Sequence, residues 1–211
     1  MSCAETREDR LEIELFPSER LSLGRAVDKR RREFITGRAC ARLALTQLGV
    51  PVEAIPSGGH GEPLWPDGVV GSITHCPGFR ACAAARSEEF SSLGIDAEPN
   101  VPLPDGVLEQ VAFGRERERV AERSWETHGD RRVDLPRLLF SAKEAVYKAW
   151  FPLAERWLGF DDVDLSIDLE SAEFRARLLV PGPVVGGAML TEFAGRWVLE
   201  AGIIVTAIVV R

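Results

Sequence analysis

Pro136-Arg137-Leu138-Leu139-Phe140-Ser141-Ala142-Lys143-Glu144-Ala145-Val146-Tyr147-Lys148-Ala149-Trp150-Phe151-Pro152 reads as a helix from residue 137 to about residue 151. Pro136 opens it, because the N–H that proline lacks has no partner at a helix start, and Pro152 lies near its end. An earlier stretch, from about residue 28 to residue 48, has the same periodicity. There Phe34, Ile35, Cys40, Ala41, Leu43, Ala44, Leu45 and Leu48 make an apolar stripe, and Gly49 with Pro51 ends it. Strand-like segments follow each helix: residues 69–76, 81–86 and 92–98 after the first, 161–180 and 196–210 after the second. Residues 11–16 alternate apolar and charged, which predicts one more half-buried strand. Residues 56–68 form a Gly/Pro-rich loop, and the segment from residue 99 to about 132 predicts short, highly charged helices. Helix followed by strands, twice, predicts an α+β fold in two halves, residues 1–100 and 101–211.

A chain of 211 residues can bury a sizeable core. Hydrophobic residues at 45% and charged residues at 28% exclude disordered, collagen-like and small disulfide-scaffold classes. Four cysteines (Cys3, Cys40, Cys76, Cys82) form no CxxC pair and no zinc-ligand spacing with the three histidines, so reduced thiols of a cytoplasmic protein are expected. The first ten residues lack the apolar run of a signal peptide, and the longest apolar run, residues 201–210, is too short to span a membrane. The net charge of −7 argues against nucleic-acid binding. Its distribution is uneven. Residues 25–42 hold seven bases against two acids, a local +5 that leaves −12 for the rest. Arg30, Arg31, Arg38 and Arg42 are expected along one side of the first helix.

Gly94-Ile95-Asp96-Ala97-Glu98-Pro99 sets two acids at i and i+2 on an extended stretch, so Asp96 and Glu98 point the same way. Neighbouring anions repel unless a cation separates them, and Mg²⁺ prefers such oxygen ligands; a solvated strand end is the alternative reading. On the second helix Glu144 and Lys148 are i, i+4 neighbours, which also describes an ordinary helix salt bridge. Only three of the 26 bases are lysine, and two of them are Lys143 and Lys148. A compact ammonium on a flexible stem suits a moving phosphoryl charge. Ser72, Thr74 and His75, beside Gly71 at a strand end, form a candidate phosphate contact set, against which stands a structural histidine. The sequence contains no P-loop, no GxGxxG and no GxSxG elbow.

In order along the chain, Arg38-Ala39-Cys40-Ala41-Arg42, Gly61-Glu62-Pro63-Leu64-Trp65-Pro66, Gly71-Ser72-Ile73-Thr74-His75, Gly94-Ile95-Asp96-Ala97-Glu98 and Phe140-Ser141-Ala142-Lys143-Glu144 through Tyr147-Lys148-Ala149 resemble the motifs of the Sfp-type 4′-phosphopantetheinyl transferases, in the subgroup of the enterobactin-synthetase component D enzymes. The resemblance spans about residues 30–160, and Arg156-Trp157-Leu158-Gly159-Phe160 extends it. It implies two similar α+β halves related by a pseudo-two-fold, with coenzyme A in the cleft between them, and a single-chain monomer. It also implies transfer of the phosphopantetheine arm of coenzyme A to a serine of an apo acyl or peptidyl carrier protein, releasing adenosine 3′,5′-bisphosphate. Fatty-acid, polyketide and nonribosomal-peptide carriers, including those of siderophore synthesis, all fit.

Residue by residue, the resemblance implies that Asp96, Glu98 and Glu144 hold Mg²⁺ (or Mn²⁺), with Glu144 also the general base. Lys143, Lys148, His75, Arg38 and Arg30 are implied phosphate contacts. Phe140, Tyr147 and Trp157 are candidate walls for the pantetheine arm, with core packing the alternative reading of aromatics at these spacings. His60 replaces a lysine frequent in relatives just before Gly61-Glu62-Pro63 and is carried as a further contact. Two other readings stand beside this one: a Mg²⁺-dependent nucleotidyl or phosphoryl transferase, and a coenzyme A-binding or carrier-docking module without transfer activity.

Overall fold

The computed structural model describes the whole chain, Met1–Arg211. In chain order its elements are β1 (Ser2–Thr6), α1 (Pro17–Leu23), α2 (Asp28–Gln47), β2 (Val69–Cys76), β3 (Phe79–Arg86), β4 (Ser92–Pro99), α3 (Leu108–Val111), α4 (Gly114–Glu122), β5 (Trp125–His128), β6 (Arg131–Asp134), α5 (Leu135–Ala154), β7 (Val163–Asp168), β8 (Glu173–Leu178), β9 (Val184–Val185), β10 (Ala188–Met189), β11 (Glu192–Glu200) and β12 (Ile203–Val210). The chain divides into two compact units, Met1–Leu93 and Gly94–Arg211. That division falls before the acid-bearing motif, ahead of the expected break after residue 100. The reason is hydrogen bonding: β4 is an outer strand of the second unit's sheet, paired with β12.

In the first unit, β3 is the central strand of an antiparallel three-stranded sheet of order β1-β3-β2. Helix α2 packs on one face of it, where Cys40, Ala41, Ala44 and Leu45 close over Ala4, Val69, Cys82 and Ala84. The small residues let helix and sheet approach closely. Strand β1 was not expected. Only Ala4 of its five residues is buried, so it carries little of the periodicity by which a strand is read from sequence. Residues 11–16, expected as a strand, are irregular. Their carbonyls are taken by side chains instead of a neighbouring strand: Arg42 donates to the Glu14 carbonyl (2.8 Å) and Arg20 Nε to that of Leu15 (3.0 Å). Leu15 and, in part, Ile13 still turn inward against Phe34 and Ile35, while Leu11 is exposed.

The second unit is built on a five-stranded sheet of order β4-β12-β11-β8-β7. Leu138, Leu139, Ala142, Ala145, Val146, Ala149 and Trp150 of α5 bury their side chains in one core with Leu165, Phe174, Phe193, Trp197, Ile204 and Ile208 of the sheet. Asp134 caps α5 by accepting from the Arg137 N–H (2.8 Å). The helix outlasts its expected end because Pro152 gives up only its own N–H, and the Glu155 N–H still bonds to the Phe151 carbonyl (2.9 Å). Within residues 99–132 the expected short helices occur, and a hairpin, β5-β6, follows them unannounced. No helix is long and apolar enough to cross a membrane.

Candidate active site

The second unit assembles its charged groups along one seam, where α5 lies beside β4. On β4, residues 94, 96 and 98 share a face. Gly94 is where helix and strand come closest: a Cβ there would lie 2.0 Å from the Ala145 carbonyl oxygen and 2.9 Å from the Ala149 methyl, so only glycine fits. Two residues on, Asp96 is 5% exposed and bonded by α5 on both oxygens. Lys148 Nζ lies 2.6 Å from Oδ1, and Ser141 Oγ lies 2.9 Å from Oδ2. Two further on, Glu98 Oε2 accepts from Arg137 Nη1 at 2.8 Å. The same guanidinium donates to the carbonyls of Val101 (3.0 Å) and Pro102 (2.9 Å), so it holds both the carboxylate and the chain that leaves the strand.

Arg137, Ser141, Glu144 and Lys148 are spaced 4-3-4, the period of one helix face. The sequence directed attention to Glu144 and Lys148 and missed Arg137 and Ser141, although the same period extended back by two turns reaches both. The i, i+4 reading of Lys148 is replaced by its ion pair with Asp96 on the strand. Behind Ser141 stands the buried Thr206 of β12, its Oγ1 3.0 Å from Ser141 Oγ. Ser141 Oγ donates to Asp96, and Thr206 Oγ1 donates to the Ser141 carbonyl (2.9 Å), which ties β12 to the same turn of α5.

Electrostatics set the two outer acids apart from ordinary glutamates. Burial raises the pKa of Glu144, the nearby Asp96 charge raises it further, and Lys148 opposes the rise. Burial likewise raises Glu98, with Asp96 adding to it and Arg137 working against it. The three carboxylates expected to share a metal do not converge on one point here, and no group of three such side chains is arranged to hold an ion. Asp96 and Glu98 are each bonded to a cationic side chain of α5, while the half-buried Glu144 is only partly compensated. An all-oxygen donor set of this kind, in which the Asp96 charge raises the proton affinity of both glutamates, fits a hard divalent cation.

Lys143 departs from the phosphate contact expected of it. It is 2% exposed, forms an ion pair with Glu116 of α4 at 2.6 Å, and donates to the carbonyls of Val111 (2.8 Å) and Phe160 (2.7 Å). Three partners satisfy the three donors of an ammonium. Burial lowers its pKa, and the Glu116 pair offsets part of that. Nothing in the run Gly114-Arg115-Glu116-Arg117-Glu118-Arg119 marks Glu116 as the buried one. Around the same helix Tyr147 faces Trp157 (5.1 Å between ring centroids) and Phe151 (5.9 Å), while Phe140 pairs with Phe160 (6.1 Å). Trp157 is 74% exposed.

In the first unit, the exposed Arg30 lies against His75 of β2, Nη1 to Nε2 at 3.1 Å, and Glu33 Oε2 lies 3.8 Å from His75 Nδ1. Arginine donates only, so in this contact His75 Nε2 is the acceptor. Ser72 and Thr74, expected to join His75 in one contact set, are buried and fall on the other face of the strand by its period of two. Arg38, expected on an exposed helix side, is 5% exposed. Its Nε donates to the Ile55 carbonyl (2.6 Å), its guanidinium lies over the Phe34 ring (4.2 Å), and burial lowers its pKa to about 10. Arg42 also turns inward, onto the fully buried Glu19 of α1 at 2.6 Å. Glu19 in turn accepts from the Ile55 N–H (3.0 Å). These two arginines therefore anchor the start of the loop that carries His60. His60 itself is exposed, its backbone N–H bonded to Glu62 Oε2 (2.9 Å).

A sheet whose outer strand carries paired acids, locked to a helix that supplies a further acid and a lysine, is the framework that the ordered motifs point to. Family models match both parts of the chain: the 4′-phosphopantetheinyl transferase N-terminal domain over residues 18–85, and the 4′-phosphopantetheinyl transferase superfamily over residues 92–182. The chain belongs to the 4′-phosphopantetheinyl transferase superfamily. It is 54% identical to the 4′-phosphopantetheinyl transferase Svp of Streptomyces mobaraensis over 93% of this chain and 78% of that protein. It is 47% identical to Npt of Nocardia iowensis (93% and 90%) and 46% identical to PptT of Mycobacterium tuberculosis (92% and 85%), both also 4′-phosphopantetheinyl transferases. A more distant similarity, 33% over 58% of this chain, is to enterobactin synthase component D of Salmonella typhi.

Proposed function

We propose that the protein transfers the 4′-phosphopantetheine group of coenzyme A to a serine hydroxyl of an apo acyl or peptidyl carrier protein. The observation that supports this reading is the β4–α5 seam, which sets Asp96, Glu98, Glu144 and Lys148 along one helix–strand contact within a chain of this family. In this reading the serine oxygen bonds to the β-phosphorus of the coenzyme A pyrophosphate as the phosphoanhydride bond breaks. Adenosine 3′,5′-bisphosphate leaves, and the serine proton passes to Glu144. A carboxylate with raised proton affinity is the better proton acceptor for that step. Lys148 carries the charge that develops on the leaving group. Arg30 and His75 bind a terminal phosphate of coenzyme A, and Arg38 fixes the start of the loop that carries His60. Asp96 and Glu144, with Glu98 beside them, would hold Mg²⁺, which when bound would neutralise charge and help orient the pyrophosphate.

The test is intact-mass analysis of apo carrier proteins incubated with the enzyme and coenzyme A, with Mg²⁺ or with chelator. The expected result is a gain of one phosphopantetheine on the carrier that requires both enzyme and divalent cation. An unmodified mass on every one of several fatty-acid, polyketide and peptide carriers overturns the reading.

A further inference from the structure

We infer that Lys148 and a divalent cation exclude one another at Asp96, so that coenzyme A, by drawing the ammonium to its pyrophosphate, opens the carboxylate to metal. The inference rests on the transferase reading above. Its structural basis is the way Asp96 is held. The Oδ2 side is closed by Ser141, buried with Thr206 behind it. On the Oδ1 side stands the Lys148 ammonium at 2.6 Å. The lysine side chain is 27% exposed against 7% for the aspartate, so of the two partners the ammonium is the one within reach of solvent. A cation in contact with the same oxygen would meet a like charge at close range. A buried carboxylate without a partner is unfavourable, and the lysine gives Asp96 its counter-charge in the empty enzyme. Its four-carbon stem lets the ammonium leave for a phosphate without moving the helix.

Metal and coenzyme A then bind with positive and reciprocal coupling. The experiment is titration of the full chain with Mn²⁺, following free Mn²⁺ by electron paramagnetic resonance. Coenzyme A is present or absent, with its own Mn²⁺ binding subtracted. Wild type, Lys148→Met and Lys148→Arg are compared at low and high salt. Wild type should bind Mn²⁺ about tenfold more tightly with coenzyme A than without it. Without coenzyme A, Lys148→Met should bind about tenfold more tightly than wild type, and coenzyme A should then add little. Lys148→Arg, which keeps a cation on Asp96, should stay near wild type.

Equal Mn²⁺ affinity of wild type and Lys148→Met without coenzyme A overturns the inference. So does a gain that disappears at high salt, since a field effect is screened over a few ångströms whereas a contact is not. Wild type that loads carrier normally but shows flat Mn²⁺ affinities sinks the exclusion at Asp96 and leaves the transferase reading standing. Absence of carrier loading sinks the transferase reading itself.

Discussion

Glu144→Gln is expected to lose carrier loading by about 10²–10⁴-fold while making the metal-free protein more stable at neutral pH. The first half follows from the proton that the proposed reaction must place somewhere. Glutamine matches the shape of glutamate but cannot accept that proton at neutral pH. The second half follows from the raised pKa, caused first by burial and then by Asp96. A carboxyl whose pKa is higher folded than unfolded binds its proton more tightly in the native state. Stability therefore falls as pH rises from the ordinary glutamate range through the raised value. Above that range the native state holds an unfavourable ionised Glu144, and glutamine removes it. Thermal unfolding in chelator should give a higher midpoint for Glu144→Gln than for wild type at pH 7, with the difference shrinking toward pH 4. A variant that loads carrier at the wild-type rate removes Glu144 from the base role. A lower midpoint at pH 7 contradicts the electrostatic account of the site.

Lys143→Met is expected to cost about 3–5 kcal/mol of stability, because it leaves the buried Glu116 charge without its partner. Glu116 is 1% exposed and also receives the Leu165 N–H at 2.7 Å, so it ties α4 to β7 as well as to α5. The double variant Lys143→Met/Glu116→Gln removes both charges and should regain most of the loss, the signature of a coupled pair. Urea unfolding of the four proteins in the cycle measures it. A phosphate-contact role for Lys143 requires the opposite pattern: near-wild-type stability with a raised KM for coenzyme A.

The sequence carried the architecture of the second unit well, because α5 and the long strands bury strongly periodic apolar faces. It carried the first unit less evenly. β1 is an outer strand with one buried residue, and residues 11–16 keep the alternation of a strand while their carbonyls bond to Arg20 and Arg42. At the site, residue type and order marked the acids and Lys148, since paired carboxylates on a strand and a rare lysine are legible in one dimension. Whether a basic side chain faces solvent or the interior was not legible. Arg38 and Lys143 share the charge of Arg30 and Lys148, yet both lie inside on carbonyl and carboxylate partners supplied by other segments. Arg137 and Ser141 were passed over for the complementary reason: each has a bland identity, and each acquires meaning only when β4 is laid beside α5.

In the proposed function the β4–α5 seam is a metal-dependent reaction centre. Anomalous diffraction from crystals of the enzyme soaked with Mn²⁺ and coenzyme A tests it most directly. The expected result is a manganese peak within coordination distance of the Asp96 and Glu144 carboxylates, with the Lys148 ammonium moved from Asp96 to the pyrophosphate. A peak elsewhere, or pyrophosphate bound with Lys148 still on Asp96 and no manganese at the seam, would contradict it.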